Sequence, residues 1–186
     1  MTALRQEELR LDLLRRIDAL SSQALRWRDG LRPDQVAWSP GQGAWSIGQV
    51  FEHLVQANAA YLPLLDGLVS GTRERAGEQA TWKPTIMGNL LVRSQVSPRK
   101  LTAPKQWRPA PAARPAVIDA FLNTIAGTRR LMEGAAGVPW DRLRFGSPLL
   151  SLVRLNLGDG FTVIAAHAER HFRQVERIGR ASGFPV

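Results

Sequence analysis

Residues 161–177 read FTVIAAHAERHFRQVER, a stretch that forms one helix and carries two of the chain's three histidines. His167 and His171 are four residues apart. On an α-helix that spacing is about 400° of rotation and about 6 Å of rise, so both imidazoles leave one face a turn apart. The third histidine, His53, lies in another apolar-periodic segment more than a hundred residues earlier. The fold implied by this helix has to bring a second helix against its histidine face.

Outward from that stretch the chain reads as helices. Leu4, Leu11, Leu14, Ile17, Leu20 and Leu25 recur near a 3.6 period and predict a first helix over 3 to about 28, ending near Asp29-Gly30. Residues 33–45, PDQVAWSPGQGAW, read as a loop anchored by Trp38 and Trp45. Ser46 followed three residues later by Gln49 is a capping-box pattern and starts a second helix that runs to about Ser70, with Pro63 inside it. Residues 71–115 carry Pro84, Pro98, Pro104, Pro109 and Pro111 and permit only a short helix near 85–95. This connection either walls a pocket or is a plain crossover. Pro115 suits the first turn of a third helix through Leu131, closed by Gly134 and Gly137. After a second connection over 138–156, Asn156 with Asp159 marks the start of the last helix, which runs to about Ser182. The first turn of that helix is weakened by Gly158 and Gly160. No strand alternation and no internal repeat is visible. The expectation is an all-α four-helix bundle, one domain over 1–186, with long connections after helices two and three. Such bundles build metal sites in their cores from side chains on facing helices.

The 186 residues and 44% apolar content suit one globular domain with a sizeable core. No apolar run approaches the length of about 18 that a membrane span needs. The opening MTALRQEELRLDLLRRIDAL alternates charge with leucine and lacks a signal peptide's apolar core, so a cytoplasmic protein is expected. The absence of cysteine rules out thiolate nucleophiles, disulfides and Cys-type zinc sites. The net charge is +9, but the basic residues are almost all Arg, with Lys only at 83, 100 and 105. They are spread along the chain instead of forming a patch, which argues against nucleic-acid binding.

Three imidazoles without cysteine are a recognised donor set for a divalent transition ion, leaving one position open for water or substrate. Zn²⁺ and Ni²⁺ suit imidazole best, and iron or manganese are compatible. By spacing alone the histidine pair is a weak motif, equally the mark of surface or capped core residues. What strengthens it is economy: the chain has only these three histidines. Gln49 and Gln174 fall on the ligand faces and read either as hydrogen-bond partners of the centre or as ordinary surface residues. Arg170, three after His167, reads as a surface arginine or as a cation at the pocket mouth. Glu52 and Glu169 are rotated about 100° and about 200° from the nearest ligand, which argues against a general base there. Trp82 and Trp107 in the long connection are core anchors or pocket walls.

The segments WSIGQVFEHL at 45–54 and AAHAERHFRQVERI at 165–178 resemble the DinB/YfiT-like superfamily of small bacterial helical proteins. The matching residues are Trp45, Ser46, Gln49, His53, His167, His171 and Gln174, and KLTAPKQWRP at 100–109 looks like the family's middle connection. RFGSPLLSLVRLNLGDG at 144–160 departs from the His-Pro and compact Gly turn of many relatives. The resemblance implies an up-down-down-up style bundle, a metal centre at His53, His167 and His171, and frequent homodimers. It also implies either a thiol-dependent S-transferase using a low-molecular-weight thiol, or a hydrolase, acting on a small molecule. The competing expectation is a non-catalytic, stress-related bundle that holds a metal or small molecule.

Overall fold

The computed structural model describes residues 4–97, 102–149 and 152–186. Pro98, Lys100, Leu101, Leu150 and Ser151, which fall in the two connections read above, lie outside them. Among the described residues six α-helices follow one another: α1 (Gln6–Gly30), α2 (Pro33–Ala37), α3 (Ile47–Gly71), α4 (Ile86–Val96), α5 (Val117–Gly134) and α6 (Leu157–Gly179). The four long ones, α1, α3, α5 and α6, share one hydrophobic core, α1 and α3 each packing against both α5 and α6. Phe51 of α3, Phe121 of α5 and Phe172 of α6 meet at its centre with ring centroids 5.3–5.9 Å apart, and Trp27 of α1 stacks edge-on to Phe172 at 4.8 Å. Phe51 and Phe172 lie within two residues of His53 and His171, so burying this aromatic cluster also fixes the angle at which the histidines leave their helices.

Both expected start signals are present. The Ser46 side chain accepts from Gln49 N at 3.2 Å while Gln49 Oε1 accepts from Ser46 N at 3.0 Å. At α6, Asn156 Oδ1 accepts from Asp159 N at 2.8 Å and Asp159 Oδ2 accepts from Asn156 N at 3.0 Å. Pro63 sits inside α3 without ending it.

Several expectations need correction. The 33–45 loop opens with the one-turn α2, where Pro33 takes a first-turn position that needs no N–H. Pro115 precedes α5 instead of sitting in its first turn. The helix starts at Val117, after Ala116 turns through the left-handed region at φ 51°. The last helix stops at Gly179 rather than near Ser182. The described residues also hold two short antiparallel pairs, unseen in the sequence because each strand is too short to alternate. Strand β1 (Leu4–Arg5) pairs with β2 (Thr81–Trp82), and β3 (Arg144–Gly146) pairs with β4 (Arg154–Asn156).

Helix α4 lies along α6, held by side chains of α6 at both ends. The Asp159 carboxylate accepts from Thr85 N, the N-cap of α4, at 3.2 and 3.3 Å. At the other end the Arg170 guanidinium donates to Ser94 O at 2.9 Å and Ser97 O at 3.0 Å, and Arg173 donates to Gln95 O at 3.2 Å. An anion at a helix start and cations at its end complement the helix dipole.

Candidate metal centre

His53 projects from the second turn of α3, a position set by the Ser46 cap, and His167 and His171 project from the middle of α6. The three meet. One ring nitrogen from each lies within 4.8 Å of the others, and ring centroids are 4.6–5.0 Å apart. His53 Nε2 and His167 Nε2 are 3.1 Å apart. Two nitrogens about 2.1 Å from a common ion, at angles between octahedral and tetrahedral, sit about 3.0–3.4 Å apart, so this pair already has ligand spacing.

Two of the rings are oriented by acceptors behind them. His53 Nδ1 is 2.7 Å from Trp107 O, and His171 Nδ1 is 2.9 Å from Gln174 Oε1. Each acceptor receives a hydrogen bond from Nδ1–H, which places the lone pair on Nε2, as outer-shell groups of metal sites do. Trp45 covers one side, with its ring 5.0 Å from His53 and near-parallel to His171 at 6.2 Å.

Burial disfavours the imidazolium form of all three. It holds His53 below its ordinary range against the opposing pull of the Trp107 carbonyl. His167 is held well below by burial and then by the adjacent His171 and His53. His171 is pushed down to about 3 by burial and His53, with the Gln174 bond working the other way. Neutral imidazole is the form that binds metals. The shifts also predict acid lability. An unfolded histidine takes up its proton near pH 6.5, whereas the folded rings refuse it. Stability in metal-free protein is therefore complete above about pH 6.5 and falls as pH drops below it, by up to about 1.4 kcal/mol per pH unit per ring. For His171 the loss continues to about pH 3. Thermal melts of chelator-treated protein between pH 7.5 and 5 measure this slope, and His171→Gln is expected to flatten it.

The other candidates are placed as follows. Gln174 touches His171, as above. Gln49 is engaged elsewhere: its Oε1 completes the α3 cap and its Nε2 donates to Ala110 O at 2.9 Å and Pro111 O at 3.2 Å. Arg170 is turned toward the carbonyls that end α4. Glu52 pairs with Arg114, which holds its carboxyl low, and Glu169 pairs with Arg16 at 2.6 Å. Trp82 and Trp107 are both buried. The group that composition could not reveal is the Trp107 carbonyl, because any residue at that point of the crossover would supply one. The crossover is pinned to α3 by the side chains of Gln49, Glu52 and His53.

The sequence pattern of the DinB superfamily matches residues 7–175. The chain belongs to the DinB superfamily. The match runs from the first turn of α1 to the last turns of α6 and so includes all three histidines. No curated protein and no solved structure matches this DinB chain. Among its described residues, no helix is long and apolar enough to cross a membrane.

Proposed function

We propose that His53, His167 and His171 hold one divalent transition ion, Zn²⁺ or Ni²⁺ before Fe²⁺ or Mn²⁺, and that the chain is a metal-dependent enzyme using a low-molecular-weight thiol in S-transfer. The observation that carries the metal is the inward convergence of three neutral imidazoles, two with their outer nitrogens already held. A bound ion would supply Lewis acidity and draw the pKa of a thiol or water down toward neutrality. The protein's own part is to fix the rings through Trp107 O and Gln174 and to exclude water on the Trp45 side.

The choice between thiol and water rests on the carboxylates. Glu52 and Glu169, the acids nearest the ligands in sequence, are both committed to arginines. Even a metal-bound water is helped by a base that takes its proton, and neither acid is free for that role. A thiol, with a pKa near 8.5, needs far less help to ionise. This favours S-transfer over hydrolysis. The homodimer implied by the family resemblance belongs to this reading as well.

The test is metal analysis of protein purified without an affinity tag, followed by a screen of small thiols with electrophiles. We expect about one equivalent of transition metal, and thiol conjugation that chelation abolishes. Less than about a tenth of an equivalent, unchanged after loading with zinc or nickel, would remove the metal. A full equivalent with no thiol turnover would remove the S-transfer.

A further inference from the structure

Several arginines along the helices and connections are neutralised: Arg10, Arg16, Arg28, Arg114 and Arg129 each pair with a carboxylate. The β3–β4 hairpin is different. Arg144 lies opposite Asn156, and Arg154 lies opposite Gly146 two residues along, so both arginines share the outer face while Phe145 and Leu155 are buried on the other. Diagonal neighbours in an antiparallel pair are about 7–8 Å apart, well within reach of two guanidinium groups closing on one ligand. Lys83, at the end of β2, faces the same space. Together with Thr85, Ile86, Asp141 and Asn156 these three cations line a cavity of about 590 Å³. Among the described residues none of the three makes a close ion pair, although Arg144 acts electrostatically on the buried Asp159 behind Thr85, and Asp141 is the one carboxylate that lines the cavity.

Three like charges facing one cavity with a single acid repel one another unless an anion joins them. We propose that this cavity binds a phosphate group. The guanidinium fork matches a tetrahedral oxyanion with two parallel hydrogen bonds, whereas Lys83 contributes a point charge. Ile86, 82% exposed on the rim, offers apolar contact to whatever carries the phosphate. Two carriers share this chemistry: a soluble phosphomonoester and a lipid headgroup. The site shares no residue with the histidine cluster and stands whether or not that cluster binds metal.

The experiment titrates full-length protein with inorganic phosphate and glycerol phosphate by calorimetry, at constant ionic strength in chloride. In parallel, the protein is sedimented with neutral vesicles and with vesicles containing phosphatidic acid. Arg144→Ser/Arg154→Ser, both on the exposed face, is expected to weaken binding at least about tenfold. Arg144→Lys/Arg154→Lys keeps the charge but loses the fork, and is expected to fall between that variant and the wild type. Helical content by circular dichroism checks that both variants are folded. Saturable binding of the soluble phosphates alone identifies a phosphomonoester site, and selective sedimentation with the acidic vesicles identifies a headgroup site. No binding in either arm at 10 mM phosphate groups on the order of a weak site's Kd, or binding unchanged in the serine variant, overturns the proposal.

Discussion

Replacing His171 with alanine is expected to weaken zinc binding by at least about a hundredfold, beyond the 10–100-fold that removing an outer hydrogen-bond partner costs. The loss should be visible as lost thermal protection. With free zinc at about a thousand times the Kd of the intact site, binding adds about 4 kcal/mol to stability. In a domain of this size that is a rise in Tm of roughly 8–16 °C. After a hundredfold loss of affinity the same zinc adds only about 1.4 kcal/mol. Gln174→Ala should fall between wild type and His171→Ala, because it removes only the acceptor that orients His171 Nδ1 at 2.9 Å. His53→Ala should match His171→Ala despite lying 114 residues before His167 in sequence, since its Nε2 is 3.1 Å from that ring. If zinc protects His171→Ala as much as the wild type, the three-histidine centre is wrong. Alanine also opens space beside Trp45, so His171→Gln serves as the bulk-preserving control.

The ordering of these variants shows how far the site could be read from the chain alone. His167 and His171 are legible because helix periodicity places them on one face, and His53 because the Ser46–Gln49 cap fixes where its helix begins. Gln49 shows the limit. It lies one turn before His53, yet the same cap occupies its Oε1 and the crossover carbonyls of Ala110 and Pro111 occupy its amide. The Gln49 side chain is thus spent on the cap and on the crossover, not on the histidines. Arg170 serves an element whose short length was legible but whose docking was not: the end of α4 presents carbonyls that a cation satisfies, while the charge still acts on His167 and His171. The Trp107 carbonyl had no sequence signal, since backbone groups become specific only after tertiary folding brings the crossover onto α3. The two strand pairs escaped for a related reason, because two or three residues are too few for a period to register.

The clearest test of the α4–α6 arrangement is Gly158→Ala, whose expected sign opposes helix propensity. Gly158 is in the first turn of α6, where its presence looks like a weakness. Gly-to-Ala in a helix ordinarily stabilises by about 0.5–1 kcal/mol. Here a Cβ would sit 2.2 Å from Trp82 Nε1 and 2.7 Å from two of its ring carbons. The indole has little room to retreat. Trp82 is 4% exposed, its Nε1 donates to Asn156 Oδ1 at 2.9 Å, and its backbone pairs with Leu4. Asn156 in turn caps α6, and its Nδ2 donates to Lys83 O at 2.9 Å. Displacing the ring therefore strains the cap, the β1–β2 pair and the approach to α4 together. Overpacking of this kind costs about 1–3 kcal/mol, and losing the buried indole hydrogen bond adds about 1 kcal/mol or more. The expected result is a loss of about 2–4 kcal/mol and a fall in Tm of roughly 4–16 °C. Gly127→Ala in α5 is the matched control, since its Cβ would meet nothing closer than Leu62 Cδ1 at 3.8 Å. That variant should gain up to about 1 kcal/mol. Opposite signs for two glycine-to-alanine changes in helices of one protein isolate the Trp82 contact as the cause. If both variants gain stability, Trp82 does not press on α6, and the network through Asn156 and Asp159 does not hold α4 in place.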